Sequence, residues 1–460
     1  MAKALFAHEG ASSDRFTFAV MENVIGDAGL SRNTPNFMND GQTLALMMRE
    51  PYLTNLVSAV TKFLEGETAN FVSFNRLVVD QSLWERASEV TIPEDSNPPV
   101  CEANLFALTR SFAGYITTHA FMGQAFLDFY PDLMDDVWAW DKEFLSLLLG
   151  APSWIPLPGV SAAYAARNRI QKLCTVFNAS FSALEDGREA AFEFRDLDDI
   201  SEFAKERMRT WKKAGYSARA AAKHVSALLW AMNANAPNLV FWLIFHIYSN
   251  PTLLHDIREE MAPFVKASRL GPKETGLPFS EPPRVAIDID GLMDSCQLLK
   301  ATYAETARLD NSPTSYREIT TDVMLSESEE EASLSGAAHP RSYHFRKGDI
   351  LAVPAGAHHI DPMYFPEPET FNPHRFLVDD PTTGKKSVDW QTLRPFGDGA
   401  TTCKGRSFAE REVLAIAAAI ICLWDIEPVD RAGWKHPGHR STTGVYRPAR
   451  DMRVRLKQRI

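Results

Sequence analysis

The sequence predicts a mainly α fold with small β-sheets toward its C-terminal half, and three observations carry that expectation. Apolar residues recur three and four apart over most of the stretch from Arg49 to Ser249. Within it, the run from Ser217 to Asn250 keeps helical spacing for about thirty residues, enough to span much of a domain. Beyond Arg308 the pattern changes to short β-type stretches parted by glycine, proline and acidic residues. No linker divides the chain, so its 460 residues are expected to form one domain.

Bulk composition narrows the function classes. Acidic residues number 59 against 48 basic ones, a formal net charge of -11, which excludes a general nucleic-acid binder. Cys101, Cys174, Cys296, Cys403 and Cys422 include no closely spaced pair, so reduced thiols are expected rather than a zinc knuckle or a redox motif. The apolar runs from Leu239 and Val413 fall short of the roughly 20 residues of a spanning helix. Residues 1–20 carry no basic patch followed by an apolar stretch, so neither a membrane span nor a signal peptide is expected.

The elements follow in order. "EPYLTNLVSAVTKFL", "SFAGYITTHAFMGQAFLDFY", "MDDVWAWDKEFLSLLLG" and "DDISEFAKERMRTWKKAG" each read as helix. Ser217 caps the long central helix, and Asn250-Pro251 ends it and opens the next. Pro237 has no N–H for the Asn233 carbonyl, so a kink is expected there. Leu270 to Pro283 reads as a surface loop before the helix pattern of "DGLMDSCQLLKATYAETARL". "SYREITTDVML", "SYHFRKGDILAVPAG" and "DMRVRLKQ" read as strands, with "SESEEEASLSGAAHP" a solvated hairpin insertion.

One cysteine stands apart. Cys403 lies among Gly397, Gly399 and Gly405, just ahead of an apolar helix whose free N–H groups would favour thiolate over thiol. Phe396, Gly399, Cys403 and Gly405 spell Phe-x-x-Gly-x-x-x-Cys-x-Gly, which resembles the haem-binding loop of the cytochrome P-450 family. Glu305 and Arg308, three apart on a helix, and Arg375 in "PEPETFNPHRFL" resemble that family's buried Glu-x-x-Arg network. "LWAMNANAPNLVFW" and "FRKGDILAVPAGAHHIDP" resemble the branch of the bile-acid sterol hydroxylases and prostacyclin synthase.

The resemblance implies a cytochrome P-450 fold with the central helix over a heme b whose iron takes Cys403 as axial thiolate. It implies a monooxygenase that uses O2, a lipophilic sterol- or terpenoid-like substrate, and electrons from an NADPH-dependent flavoprotein reductase. A haem-thiolate isomerase or dehydratase is the alternative, and a haem carrier or sensor comes third. A monomer at the cytosolic face of the endoplasmic reticulum membrane is implied, attached only through a segment outside this chain, with part of the first sheet also absent.

Several positions depart from the family pattern. Thr401 stands where an arginine commonly meets a haem propionate, leaving Arg317 as a candidate partner beside a plain surface role. Lys404, Arg406 and Arg411 form either a basic docking patch or ordinary solvated charge. Ala234 and Asn235 replace the acid and threonine that help deliver protons, so Asn235 and Asn233 are the candidate catalytic residues. Trp230, Met232, Leu239, Pro313, Thr442 and Val445 are the expected pocket lining. His358, His359 and Asp361 read as a strand end and turn rather than a metal site.

Overall fold

The computed structural model describes residues 2–27, 43–94, 99–157, 159–276, 278–380 and 384–460. The helices that build the core are α1 (Tyr52–Glu67), α2 (Leu105–Met122), α3 (Leu133–Lys142), α4 (Val160–Glu185), α5 (Glu202–Lys213), α6 (Ala218–Ala234), α7 (Ala236–Tyr248), α8 (Pro251–Met261), α9 (Gln297–Leu309) and α10 (Arg406–Leu423). In α1, Leu53, Leu56, Val57, Val60 and Leu64 form one buried stripe at helical spacing. α7 and α10 are buried nearly all round, as helices at the centre of a bundle are. Together α1, α2, α7 and α10 pack on one another. Trp424, where α10 ends, donates from Nε1 to the Thr68 carbonyl at 2.9 Å and accepts from the Tyr248 hydroxyl through its own carbonyl at 2.6 Å.

Small antiparallel sheets flank this bundle. β1 (Ala11–Ser12), β3 (Thr314–Ile319) and β4 (Ile350–Pro354) form one, with Ala11 opposite Ile319 and Tyr316 opposite Ala352. In the other, β6 (Arg453–Gln458) lies between β5 (Trp424–Pro428) and β2 (Cys101–Asn104), with Leu456 facing both Ile426 and Cys101. The short β1 lies ahead of Asp14, where the sequence offered no strand pattern.

The central helix is interrupted rather than merely bent. Ser217 caps it by accepting from the Ala220 N–H at 3.2 Å, and Asn250 caps α8 in the same way at 3.1 Å. Between them Asn235 leaves helical geometry, at φ -121° and ψ -47°, and Pro237 sits in the first turn of α7, where a missing N–H costs nothing. The helix pattern at 290–309 also splits, at Cys296 with ψ 71°. The expected loop Leu270 to Pro283 is the tip of a hairpin, since Val265–Ser268 pairs with Arg284–Ile287. Four-residue strands alternate too briefly to register as a period. Val323–Ser326 pairs with Ser342–Phe345 across the acidic insertion, which carries a short helix, Glu329–Leu334, capped by Ser328.

Taken together, Ala218–Tyr248 is long and apolar enough to cross a membrane, which the shorter runs counted in the sequence did not suggest. Of its most apolar window 78% is buried inside the protein, as befits a core helix.

One acid is sealed inside the bundle. Among the described residues Glu412 on α10 meets only the Thr117 hydroxyl of α2, and burial pushes its carboxyl from the ordinary 4.5 to about 8. Thr117 already donates to the Ala113 carbonyl at 2.8 Å, so it accepts the proton that Glu412 keeps. Because the folded state holds this proton more tightly than the unfolded chain, the stabilisation is complete below the unfolded value. It is lost as pH rises through the folded one. Urea midpoints of the wild type are therefore expected to fall between pH 4.5 and about 8, and Glu412→Gln to flatten that slope.

Candidate functional site

Cys403 ends the glycine-rich loop and is the exposed one of the five cysteines. Its N–H donates to the Phe396 carbonyl at 3.0 Å, closing the loop on itself. Gly399 has φ +67°, and an added Cβ would stand 2.9 Å from the Phe6 side chain, so glycine is required there on two counts. Gly405 has no such need: a Cβ there would only reach ordinary contact with Met47 and with the Cys403 sulfur. Crowding by protein pushes the Cys403 thiol up, and the Gly405 N–H, Arg406 and Lys404 draw it only partly back. The N–H groups at the helix start do favour the thiolate, as expected from the sequence, but crowding outweighs them in the chain by itself; a bound metal ion would take the proton's place.

Arg317 on β3 lies beside this loop. It is buried, donates to the Thr401 hydroxyl at 2.7 Å and to the Tyr316 carbonyl at 2.8 Å, and stacks over the Phe6 ring at 4.7 Å. Among the described residues no carboxylate pairs with it, and burial lowers its pKa. A buried guanidinium without a counter-ion is costly, so an anionic group of a bound cofactor would be welcome here. An accessible sulfur and an unpaired buried cation, joined through Thr401, fit a haem with its iron and propionates.

Glu305, Arg308 and Arg375 come together from distant parts of the chain. Arg308 grips Glu305 through two parallel bonds of 2.7 and 2.8 Å, and Arg375 Nε donates to Glu305 Oε1 at 3.1 Å. The remaining guanidinium hydrogens hold backbone. Arg308 donates to the His359 and Pro368 carbonyls, each at 2.7 Å, and Arg375 to the Pro366 carbonyl at 2.9 Å.

On the side of the helix break, three segments meet. Asn235 Oδ1 accepts the Val445 N–H at 2.9 Å, Val445 bridges to Asn311, and the Ser312 N–H donates to the Gly444 carbonyl at 3.0 Å. A Cβ on Gly444 would stand 2.5 Å from Asn235 Oδ1. The Thr442 hydroxyl closes the turn on the Val445 carbonyl at 2.6 Å, and Pro313 accepts the Ala355 N–H at 3.0 Å. Met232 and Leu239 are buried on either side of the break. Trp230 turns elsewhere: it stacks on Phe144 at 4.6 Å and donates to Asp141 on α3. Asn233 also parts from Asn235, because two residues along a helix turn a side chain through about 200°. Its amide is fully buried, donating to the Thr118 hydroxyl at 3.2 Å and the Leu229 carbonyl at 3.0 Å.

His358 and His359 end a short helix, Ala355–His359, rather than the strand expected from the sequence; His359 Nε2 accepts the Arg394 N–H at 3.1 Å and His358 Nε2 meets Thr392 at 2.9 Å. A different histidine group, around Asp310, was not legible in the sequence, because its members come from three distant segments.

A loop presenting one accessible sulfur, a buried Glu-x-x-Arg charge network and an interrupted central helix are together the features of a haem-thiolate protein. The family profile described as "Cytochrome P450" matches residues 160–452, and the chain belongs to that family. It is 26% identical over 325 residues to a cytochrome P450 monooxygenase, poxD, of Penicillium oxalicum, covering 70% of this chain and 58% of that one. It is 29% identical to a 25-hydroxycholesterol 7-alpha-hydroxylase of Rattus norvegicus, covering 56% and 59%. With a 7-alpha-hydroxycholest-4-en-3-one 12-alpha-hydroxylase of Homo sapiens it shares 31% identity, over 50% of this chain and 44% of that one. The chain thus spans about half the length of the curated relatives it matches. In fold it is similar to a crystal structure of a cytochrome P450, CYP102L1, with a TM-score of 0.63 at 14% identity over 98% of this chain and 88% of that one. A retinoic-acid-bound cyanobacterial CYP120A1 superposes with a TM-score of 0.62 at 16% identity, over 99% and 87%. The family and fold imply a haem with a cysteine thiolate ligand.

Truncating Glu305 to Ala would strand two buried guanidinium groups. A loss of about 3–5 kcal/mol is expected, seen as a collapse of the urea midpoint and of soluble yield.

Proposed function

We propose that the chain is a haem-thiolate monooxygenase that inserts one oxygen atom of O2 into a lipophilic, sterol- or terpenoid-like substrate. An NADPH-dependent flavoprotein reductase supplies the electrons, and residence at the endoplasmic reticulum membrane belongs to the same reading. The observation that carries the proposal is the exposed Cys403 sulfur two residues from Thr401, whose hydroxyl is held by an Arg317 without a carboxylate. The monooxygenase and sterol hydroxylase names of the relatives support the reaction and the substrate class.

Cys403 would hold the iron as thiolate and lend it electron density, and the bound haem supplies oxygen activation. Phe396, Gly399 and Gly405 shape the loop that presents the sulfur, and Arg317 with Thr401 would hold a propionate. Asn235 is fixed through Oδ1 by the Val445 N–H, and among the described residues its Nδ2 has no protein acceptor. Nδ2 is therefore free to donate to an ordered water and to hold a proton path open beside the helix break. Asn233, committed to Thr118, acts in this scheme only by fixing α6 to α2. Met232, Leu239, Pro313, Thr442 and Val445 would offer a largely apolar wall.

The reduced, carbon-monoxide-treated protein is expected to give the thiolate-ligated haem spectrum, and Cys403→Ser to abolish it. With a reductase and NADPH, oxygenated product should form from members of a sterol and terpenoid panel. Turnover of a lipid peroxide without reductant, and none with it, would instead make the protein an isomerase. Arg317→Ala is expected to speed haem transfer to an apo-globin trap by roughly tenfold, the worth of a hydrogen bond to a charged group.

A further inference from the structure

Away from the cysteine loop, histidines converge on one sealed carboxylate. Asp310 follows α9 and is fully buried. Its two oxygens are engaged separately: Oδ2 lies 2.7 Å from His246 Nε2 on α7, and Oδ1 lies 2.8 Å from His439 Nε2 in the C-terminal loop. His436 joins them, so that one donor atom each of Asp310, His436 and His439 falls within 4.8 Å of the others. Trp242 stacks on His436 at 5.1 Å and Tyr446 on His439 at 4.5 Å, which holds both rings in place.

We infer that Asp310, His436 and His439 form a binding site for a borderline transition-metal ion such as Zn2+, with His246 orienting the carboxylate from behind. Two imidazoles and a carboxylate are the donor set such ions prefer, and they disfavour Mg2+ and Ca2+. Three protein ligands leave a fourth position for water. The exposed His436 and His439 give the ion a way in. The hydrogen bond from His246 to the far oxygen is the outer contact that ligating carboxylates usually keep.

The proton balance closes without a co-reactant. His439 now carries its proton on Nε2, toward Asp310; on capture that proton moves to Nδ1 through solvent and the ion takes its place between Nε2 and Oδ1. The two atoms would spread from 2.8 Å to roughly 3.3 Å, the separation of neighbouring ligands in a tetrahedral zinc site. His436 gives up one contact, the Gly438 N–H now 3.1 Å from its Nδ1. That lone pair goes to the metal, or to a proton when Nε2 binds instead. An occupied site would tie α7, the end of α9 and the C-terminal loop together, and this loop carries the Val445 N–H that Asn235 accepts.

Haem-loaded protein, treated with a chelator and desalted, is titrated with ZnCl2 by calorimetry, and retained zinc is measured after gel filtration. One zinc per chain and a higher melting midpoint are expected. His436→Gln and His439→Gln should each weaken binding by about tenfold or more, whereas His255→Gln, an exposed histidine elsewhere, should not. The carbon monoxide spectrum of each variant reports that its fold is intact. Failure of the wild type to retain zinc, or equal retention by the His436 and His439 variants, would overturn the site.

Discussion

A buried carboxylate between two guanidinium groups organises this molecule. Glu305 has no access to water, so it is tolerable only while both Arg308 and Arg375 face it. Those arginines spend their other hydrogens on the carbonyls of His359, Pro366 and Pro368, and the Asn372 N–H closes on Glu305 as well. An irregular segment that no regular ladder stabilises is thereby shaped by one charge cluster. The same chain runs on through Leu393 and Phe396 into the cysteine loop, so the position of the sulfur inherits its precision from α9.

The opposite wall is set by backbone chemistry. Pro237 cannot bond the Asn233 carbonyl, and Asn235 leaves the helix, which frees its side chain for the Val445 N–H. The interruption is therefore a docking point for the C-terminal turn as well as a gap in the helix. Gly444 is the residue that lets the two backbones approach so closely. Asp310, the residue after α9, ties in the same C-terminal loop through His439 and the same helix through His246. Central helix, Glu-x-x-Arg helix and C-terminal loop thus meet twice, at Asn235 and at Asp310.

Electrostatics separates what the apo protein favours from what a ligand would favour. Crowding by surrounding protein raises the accessible Cys403 thiol, and burial leaves Arg317 with only neutral acceptors among the described residues. Each is an unfavourable state of the chain by itself, and a haem would relieve both, its iron taking the sulfur and a propionate of its porphyrin facing Arg317. Preorganising groups for an absent partner costs stability and repays it on binding.

Much of this was legible in the residues themselves. Helical periodicity, the Ser217 and Asn250 caps, the cysteine loop and the Glu305–Arg308 spacing are local features, decided by neighbours within a few turns, and a sequence displays them directly. Only the tertiary structure decided the rest. Whether Asn233 or Asn235 faces Val445 depends on how a rotation of about 200° is aimed, and where Trp230 turns depends on Asp141 and Phe144. The short hairpin Val265–Ser268 with Arg284–Ile287, the unpaired state of Arg317 and the gathering of His246, His436 and His439 on Asp310 arise from contacts between residues far apart in the chain. Such contacts leave no period in the sequence, because the packing that creates them is a property of the folded whole.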